Sequence, residues 1–252
     1  MSTTYKSARV AHGYQKPPTA FVTSLHCALH LATMNETTLP KLDLTEATPS
    51  DYPAVARLLA ENFTYGKFVL ALGKDVERRA ALIEILLQNR AFTPGTIYVA
   101  RLPGQTQIVG TIVIRYDNAS VAPADRRTAR EAMTRRVGRL RAWWANLILK
   151  LLENPKLPLE HIYADNMVVE PAFRRQRIGQ ALFRQSFAIA HARGKTEVHS
   201  DVISSNAQIR GLCKLYGWEV TKRNYLAAPF TLLFFGFAGI YHIRRLLTEQ
   251  DD

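Results

Sequence analysis

Met167-Val-Val-Glu-Pro-Ala-Phe-Arg-Arg-Gln-Arg-Ile-Gly-Gln-Ala-Leu182 is the stretch on which the reading of this chain turns. The apolar residues before Glu170 end a buried strand, Pro171 to Arg177 form a basic loop, and Ile178 opens a helix. The first N–H groups of a helix lack intrahelical partners, and the helix dipole adds positive potential there. Such a terminus is an anion site. Gly179 has no side chain, so a phosphate can approach the backbone. Arg174, Arg175 and Arg177 add charge. A strand–loop–helix of this kind suits a pyrophosphate. A plain βα turn with a solvated basic loop competes with that reading, because the spacing is neither the Rossmann nor the Walker pattern.

Elements alternate on both sides of this stretch. Downstream, the predicted helix runs from about Ile178 to Ala192, with Gly194 just past its end in the C-cap role. A strand at Glu197–Val202 follows, then a short helix from Asn206 to Tyr216 ending at Gly217, then a strand from Trp218. Upstream, His161–Val169 reads as a strand. Leu42 to Ala47 alternates like a short strand, and Thr48-Pro49-Ser50-Asp51 supplies helix caps before Val55, Leu58, Leu59 and Phe63. A second helix spans about Asp75 to Leu87, with Val76, Ala80, Ile83 and Leu87 on one stripe. Ile97–Leu102 and Ile108–Tyr116 flank a Pro103-Gly104-Gln105 turn as a hairpin.

Met133, Val137, Leu140, Trp144, Leu147 and Leu151 recur at helical spacing, which predicts one long amphipathic helix over 124–152. Its other faces carry eight basic side chains, among them Arg135, Arg136, Arg139 and Arg141. A solvated face, a wall of an acceptor site, a dimer contact and a surface for anionic lipid or RNA are the readings open for it. Trp143 and Trp144 are adjacent, so both cannot lie on the core stripe.

Asn224 to His242 holds no Lys, Arg, Asp or Glu. Pro229, Gly236 and Gly239 interrupt it, and its length falls just short of a membrane span. Two buried closing strands joined by a turn are expected there in preference to an anchor. Residues 1–35 contain no acidic side chain. A disordered tail, a start at Met34 and a transit peptide are the three readings of that segment. The domain is therefore set at 41–252, with a 1–40 tail and a basic helical insertion at about 120–158.

The 252 residues include 33 Lys+Arg against 21 Asp+Glu, and the net charge of +12 points to an anionic partner. Two cysteines exclude a disulfide framework and a cysteine-built zinc site, and they suit a reducing, cytoplasmic setting. No metal is expected. No helix-turn-helix, zinc or RNA-binding motif appears, so no specific nucleic acid is predicted.

Val169 to Leu182 resembles the coenzyme A-binding motif of the GNAT N-acetyltransferase superfamily, Arg/Gln-x-x-Gly-x-Gly/Ala. Asn206 with Leu212-Cys213-Lys-Leu-Tyr-Gly217-Trp218 is similar to that family's second signature, and Thr48 to Leu59 to its opening helix. The resemblance covers 41–252 in element order. It implies an α/β fold: a mixed, mostly antiparallel, twisted sheet flanked by helices and splayed between its fourth and fifth strands. It implies acetyl-CoA as cosubstrate, bound in the splay, with an amine attacking the thioester directly. The backbone of Met167, Val168 and Val169 would meet the pantetheine arm. Arg174, Arg175, Gln176, Arg177, Ile178, Gly179 and Gln180 would hold the pyrophosphate, and Asn206 the arm.

Two positions depart from the family pattern. Arg177 stands where the first motif glycine is usual, and it can still donate its N–H if its φ stays negative. Cys213 stands where a tyrosine commonly protonates the departing thiolate. Cys213 as acid, Cys213 as a packed hydrophobe and Tyr216 as substitute acid are the readings there. Asp165, His199 and Asp201 are the candidate bases, on the strands flanking the splay. The acceptor is an unidentified amine. A homodimer and a membrane-surface contact stay open as further partners. A catalytically weak coenzyme A-binding protein and a basic RNA- or membrane-surface protein are the alternatives to the enzyme.

Overall fold

A computed structural model describes residues 39–63, 67–92, 95–116, 121–151, 161–204, 206–224 and 239–248. Nearly all of the 1–40 tail, the 152–160 end of the insertion and the apolar segment 225–238 lie outside the described residues. The chain opens with β1 (Asp43–Glu46), α1 (Tyr52–Asn62), α2 (Lys67–Leu72) and α3 (Val76–Gln88). β2 (Thr96–Arg101), β3 (Ile108–Tyr116), α4 (Pro123–Val137), α5 (Arg139–Leu151) and β4 (His161–Val169) follow. A 3-10 turn at Pro171–Phe173 leads to α6 (Ile178–Ala192), β5 (Glu197–Ile203), α7 (Ala207–Leu215), β6 (Glu219–Asn224) and β7 (Ile240–Leu246).

The strands form a seven-stranded sheet in the order β1-β2-β3-β4-β5-β7-β6. Every neighbouring pair is antiparallel except β4 with β5. This is the mixed, mostly antiparallel α/β sheet expected. Strand side chains alternate between faces, so each strand feeds two cores. On one face α6 sets Ile178, Leu182, Phe183 and Phe187 against Ile112, Ile162 and Val198. On the other, α1 and α3 set Leu59, Ile83 and Leu86 in one cluster with Val99 and Val168. A Cβ on Gly110 would stand 3.1 Å from both Leu182 Cδ1 and the Val168 carbonyl oxygen, so only glycine lets β3 and α6 approach this closely.

Local chemistry explains the element ends. Gly104 has φ +74° after Pro103, and the Gln105 N–H donates to the Leu102 carbonyl at 3.0 Å. Pro then Gly is the residue pair that a type II turn selects. At the end of α6 the N–H of Gly194 donates to His191 at 2.8 Å and that of Lys195 to Ala190 at 3.0 Å. With Gly194 at φ +64° this is a Schellman motif. At the start of α1, Asp51 reaches backwards instead of capping the helix. Its carboxylate accepts from the Thr48 N–H and hydroxyl, both at 2.9 Å, and ion-pairs with Arg101 of β2.

Two expectations change. The single helix over 124–152 is two helices, because Gly138 adopts φ +86°, ψ 160°, which no α-helix can continue. The stripe expected to face the core turns outward in its second half. Ala142, Ala145 and Ile148 are buried, while Leu140, Trp143 and Trp144 are exposed. In α3 the expected stripe holds, with Ile83 and Leu87 buried and Val76 and Ala80 half-buried against the same cluster, and it widens to take in Arg79, Leu82 and Leu86. Of the two closing strands expected between Asn224 and His242, β7 begins at Ile240, β6 ends at Asn224, and residues 225–238 between them lie outside those described. The short α2 carries too few residues to show a period and was not anticipated.

Candidate active site

The site is built where β4 and β5 separate. Their parallel pairing runs only from His161–Glu197 to Tyr163–His199. Among the described residues, β4 from Ala164 to Val169 has no strand partner on the β5 side. Its other edge stays paired to β3, with a register shift between Thr111 and Val113. Asn166 and Met167 together oppose Ile112 there, and Asn166 takes φ +49°. A bulge of this kind bends a strand and re-aims its backbone. The backbone of Met167, Val168 and Val169 therefore lies on an edge able to accept an added extended chain.

That edge runs directly into the basic loop. Arg175 and Arg177 have φ +61° and +62°, so the expectation that Arg177 keeps a negative φ is overturned. The loop needs a left-handed residue before α6, which is the geometry a glycine would adopt without strain. Arg177 is the N-cap of α6 and makes no side-chain cap bond. The N–H groups of Gln180 and Ala181 both return to the Arg177 carbonyl, each at 3.0 Å. The donors left to face an anion at this end are those of Ile178 and Gly179. Ile178 anchors the turn in the core, and the Arg174 to Arg177 side chains are exposed. Arg174 is also a brace: it donates from Nε to the Val169 carbonyl at 3.3 Å and from Nη2 to Asn62 Oδ1 of α1. Gln176 donates back to the Ala172 carbonyl at 3.3 Å. Among the described residues, then, helix-start N–H donors lie beside a strand edge without a partner, an arrangement that could hold an extended chain ending in an anion.

Across the split from β4, Asn206 precedes α7, Cys213 lies within it and Tyr216 follows it. Asn206 Oδ1 accepts from the Ile209 N–H at 3.1 Å and caps α7, so the side-chain amide is the group it can offer a ligand. Cys213 is buried in the apolar layer with Phe183 and Trp218, and burial pushes its thiol up to about 12. That placement suits the packed reading of Cys213: the thiol lies in the apolar layer, and burial makes it a weaker donor than an ordinary one. Tyr216 is half-buried, its ring 6.2 Å from Phe183 and 6.3 Å from Phe187. Burial raises its hydroxyl pKa, while the charges of Arg184, Arg245 and Arg177 draw it down.

Polar residues of equal parity share the sheet face away from α6. Tyr163 and Asp165 on β4 and Asp201 on β5 meet just beyond the last β4–β5 pair. His242 of β7 is the register partner of Asp201, and its Nδ1 contacts the Asp201 carboxylate. Burial pushes the Asp201 carboxyl up, helped by the Asp165 charge and opposed by Tyr163 and His242. Asp165 Oδ1 accepts the Asn166 N–H at 2.8 Å. Arg115 lies over the Tyr163 ring, 5.3 Å from its centroid. His199 sits within the paired stretch, bonded to Glu197 at 2.8 Å and stacked on His161 at 4.4 Å. Burial lowers its pKa, which keeps the imidazole neutral near pH 7. His161, Glu197 and His199 bring three ligand atoms within 4.8 Å. The two rings are only 15° from parallel, so their lone pairs run side by side instead of converging on an ion. Arg244 also stands 3.6 Å from Glu197.

His242, Tyr163 and Arg115 were absent from the sequence candidates. Odd-numbered polar residues along 161–165 and 197–201 hinted at a shared polar face. Nothing local placed His242 opposite Asp201.

The chain is similar to known acetyltransferases. The model of the acetyltransferase (GNAT) family matches residues 57–218. An acetyltransferase crystal structure aligns with TM-score 0.52 at 18% identity, covering 82% of this chain and 100% of that one. A GCN5-related N-acetyltransferase from Kribbella flavida aligns at TM-score 0.48 and 16% identity, covering 82% and 98%. A putative acetyltransferase from Salmonella typhimurium, solved with its cofactor acetyl-CoA, aligns at TM-score 0.47 and 14% identity, covering 83% and 95%. No curated protein matches the chain. Among the described residues no helix is long and apolar enough to cross a membrane. A family match over most of the sheet and both walls of the split settles the class: this chain belongs to the GNAT acetyltransferase family, whose chemistry is acyl transfer from acetyl-CoA.

Proposed function

We propose that this protein moves an acetyl or other short acyl group from coenzyme A to a primary amine, by direct attack in a ternary complex. The observation that carries the reading is the β4 edge, which has no strand partner on the β5 side among the described residues, running into an α6 start with no side-chain cap. The backbone of Met167 to Val169 binds the pantetheine arm, and the Asn206 amide supports it from the far wall. Ile178 and Gly179 N–H groups take the pyrophosphate, with Arg175, Gln176 and Arg177 around it. Arg174 holds the loop against α1. Bound there, acetyl-CoA supplies an activated acyl group. The chain contributes position, which accounts for much of the rate in such reactions. Asp201 removes the amine proton, with Asp165 beside it, because its raised pKa brings it nearer working pH. The Tyr216 hydroxyl supplies the proton on the opposite wall.

Calorimetric titration with acetyl-CoA, with dephospho-CoA and RNA as comparators, tests the reading. Saturable acetyl-CoA binding that is lost in Gly179→Trp is expected. Unchanged affinity in that variant would sink the cofactor assignment. Binding with no thiol release across a panel of amines would select a coenzyme A-binding protein without turnover.

A further inference from the structure

We propose that the face of α5 bearing Leu140, Trp143 and Trp144 docks on an anionic lipid bilayer, because these exposed apolar side chains are ringed by arginines. The reading is independent of the acyl-transfer site. Leu140, Trp143, Trp144 and Leu147 are spaced i, i+3, i+4 and i+7, which makes one stripe of a helix. Such a stripe normally faces a core. Here the core takes the small side chains Ala142 and Ala145, with Ile148, and the large ones point outward. Leu140 is 78% exposed, Trp143 53% and Trp144 42%. The break at Gly138 sets this rotation, since α5 starts afresh there, and the Trp144 indole N–H fixes it by donating to the Leu70 carbonyl at 3.0 Å. The stripe borders an open groove of about 450 Å³ against α2 and α3, with Arg78 and Arg141 among its walls.

Charge selects the occupant. Residues 123–151 hold eight basic and two acidic side chains, a net +6, half of the charge of the whole chain. Arg135, Arg136, Arg139 and Arg141 are exposed around the stripe. A second copy of the same face would repel this one. An RNA would meet the arginines but give Leu140 nothing to bury against. An anionic bilayer satisfies both: headgroups pair with the guanidinium groups, and Leu140 and the tryptophans enter the interfacial zone, where Trp is favoured.

The test is co-sedimentation of the full chain with phosphatidylcholine vesicles, with and without phosphatidylserine, read beside tryptophan emission. Of the three tryptophans, Trp218 is already buried, so a blue shift on vesicle addition reports Trp143 and Trp144. We expect binding to anionic vesicles only, a blue shift, and at least a tenfold loss of binding in Leu140→Ser/Trp143→Ser and in Arg139→Glu/Arg141→Glu. Both pairs are exposed, so unchanged circular dichroism is expected and serves as the folding control. Equal binding by wild type and the Leu140→Ser/Trp143→Ser variant would overturn the proposal by moving contact to another part of the chain. So would no binding to anionic vesicles. A salt-sensitive RNA complex without vesicle binding, or a dimer that the same substitutions dissolve, would likewise replace it.

Discussion

The backbone N–H of Trp218 donates to the carbonyl of Cys213 at 3.0 Å, and both side chains are buried, Cys213 with 5% exposure and Trp218 with 7%. Gly217, at φ +67°, donates to the Lys214 carbonyl at 3.2 Å. These two bonds close α7 as a Schellman motif, and the hydrophobic contact that accompanies this motif joins the same two residues. Cys213 thus has a packing job at the position where the family pattern suggests an acid.

Cys213→Ala should therefore leave kcat for amine acetylation nearly unchanged and lower stability by about 1 kcal/mol, the usual cost of removing a small buried group. Tyr216→Phe should lower kcat at least tenfold with little change in KM for acetyl-CoA. Thiol-release kinetics and thermal melts on both variants check this, and a large kcat loss confined to Cys213→Ala would reverse the assignment.

Asp201 must be ionised to accept a proton, and its burial raises its pKa above 3.8. The acid limb of kcat/KM should accordingly lie above the ordinary carboxylate range, with activity rising as pH climbs through it. Asp201→Asn should remove that limb and lower kcat/KM about a hundredfold or more. A raised native pKa also means that the ionised carboxylate destabilises the fold once pH exceeds it. The same variant should melt higher at pH 7. A lower melting temperature together with lost activity would point to simple misfolding.

Arg177→Gly should stabilise the protein by about 1 kcal/mol, because a non-glycine residue at φ +62° carries roughly that cost. The α6 start should keep its shape. A drop in melting temperature would show that the Arg177 side chain contributes more than its backbone costs.

Arg79 is 2% exposed and donates from Nε and Nη2 to the Ala60 carbonyl, at 3.0 and 2.5 Å. Its Nη1 reaches the Gly73 carbonyl at 2.8 Å and that of Lys74 at 3.2 Å. It ties the end of α1 to the turn before α3. Arg79→Met should cost about 2–4 kcal/mol by leaving those carbonyls without donors. Arg79→Lys should recover only part, since one ammonium cannot span both carbonyl sets. Urea unfolding of the two variants measures the difference.

The sequence by itself determined β4 at His161–Val169 and α6 at about Ile178 to Ala192, along with the Pro103-Gly104 turn and the glycine at the end of α6. These features depend on a residue's own φ preference, on caps and on short-period patterning, all of which act within a few positions. The motif in the loop after β4 was legible for the same reason. Tertiary structure alone decided the rest. It set how far β4 and β5 stay paired, that Asp165 and Asp201 meet His242 on one face, that Cys213 packs and that Arg79 is buried. It also turned Leu140 and Trp144 outward, although their spacing matched a core stripe. A helical period defines a face but not what that face meets. A strand's parity defines two sides but not which distant strand lies alongside, and both are fixed only by contacts between residues far apart in the chain.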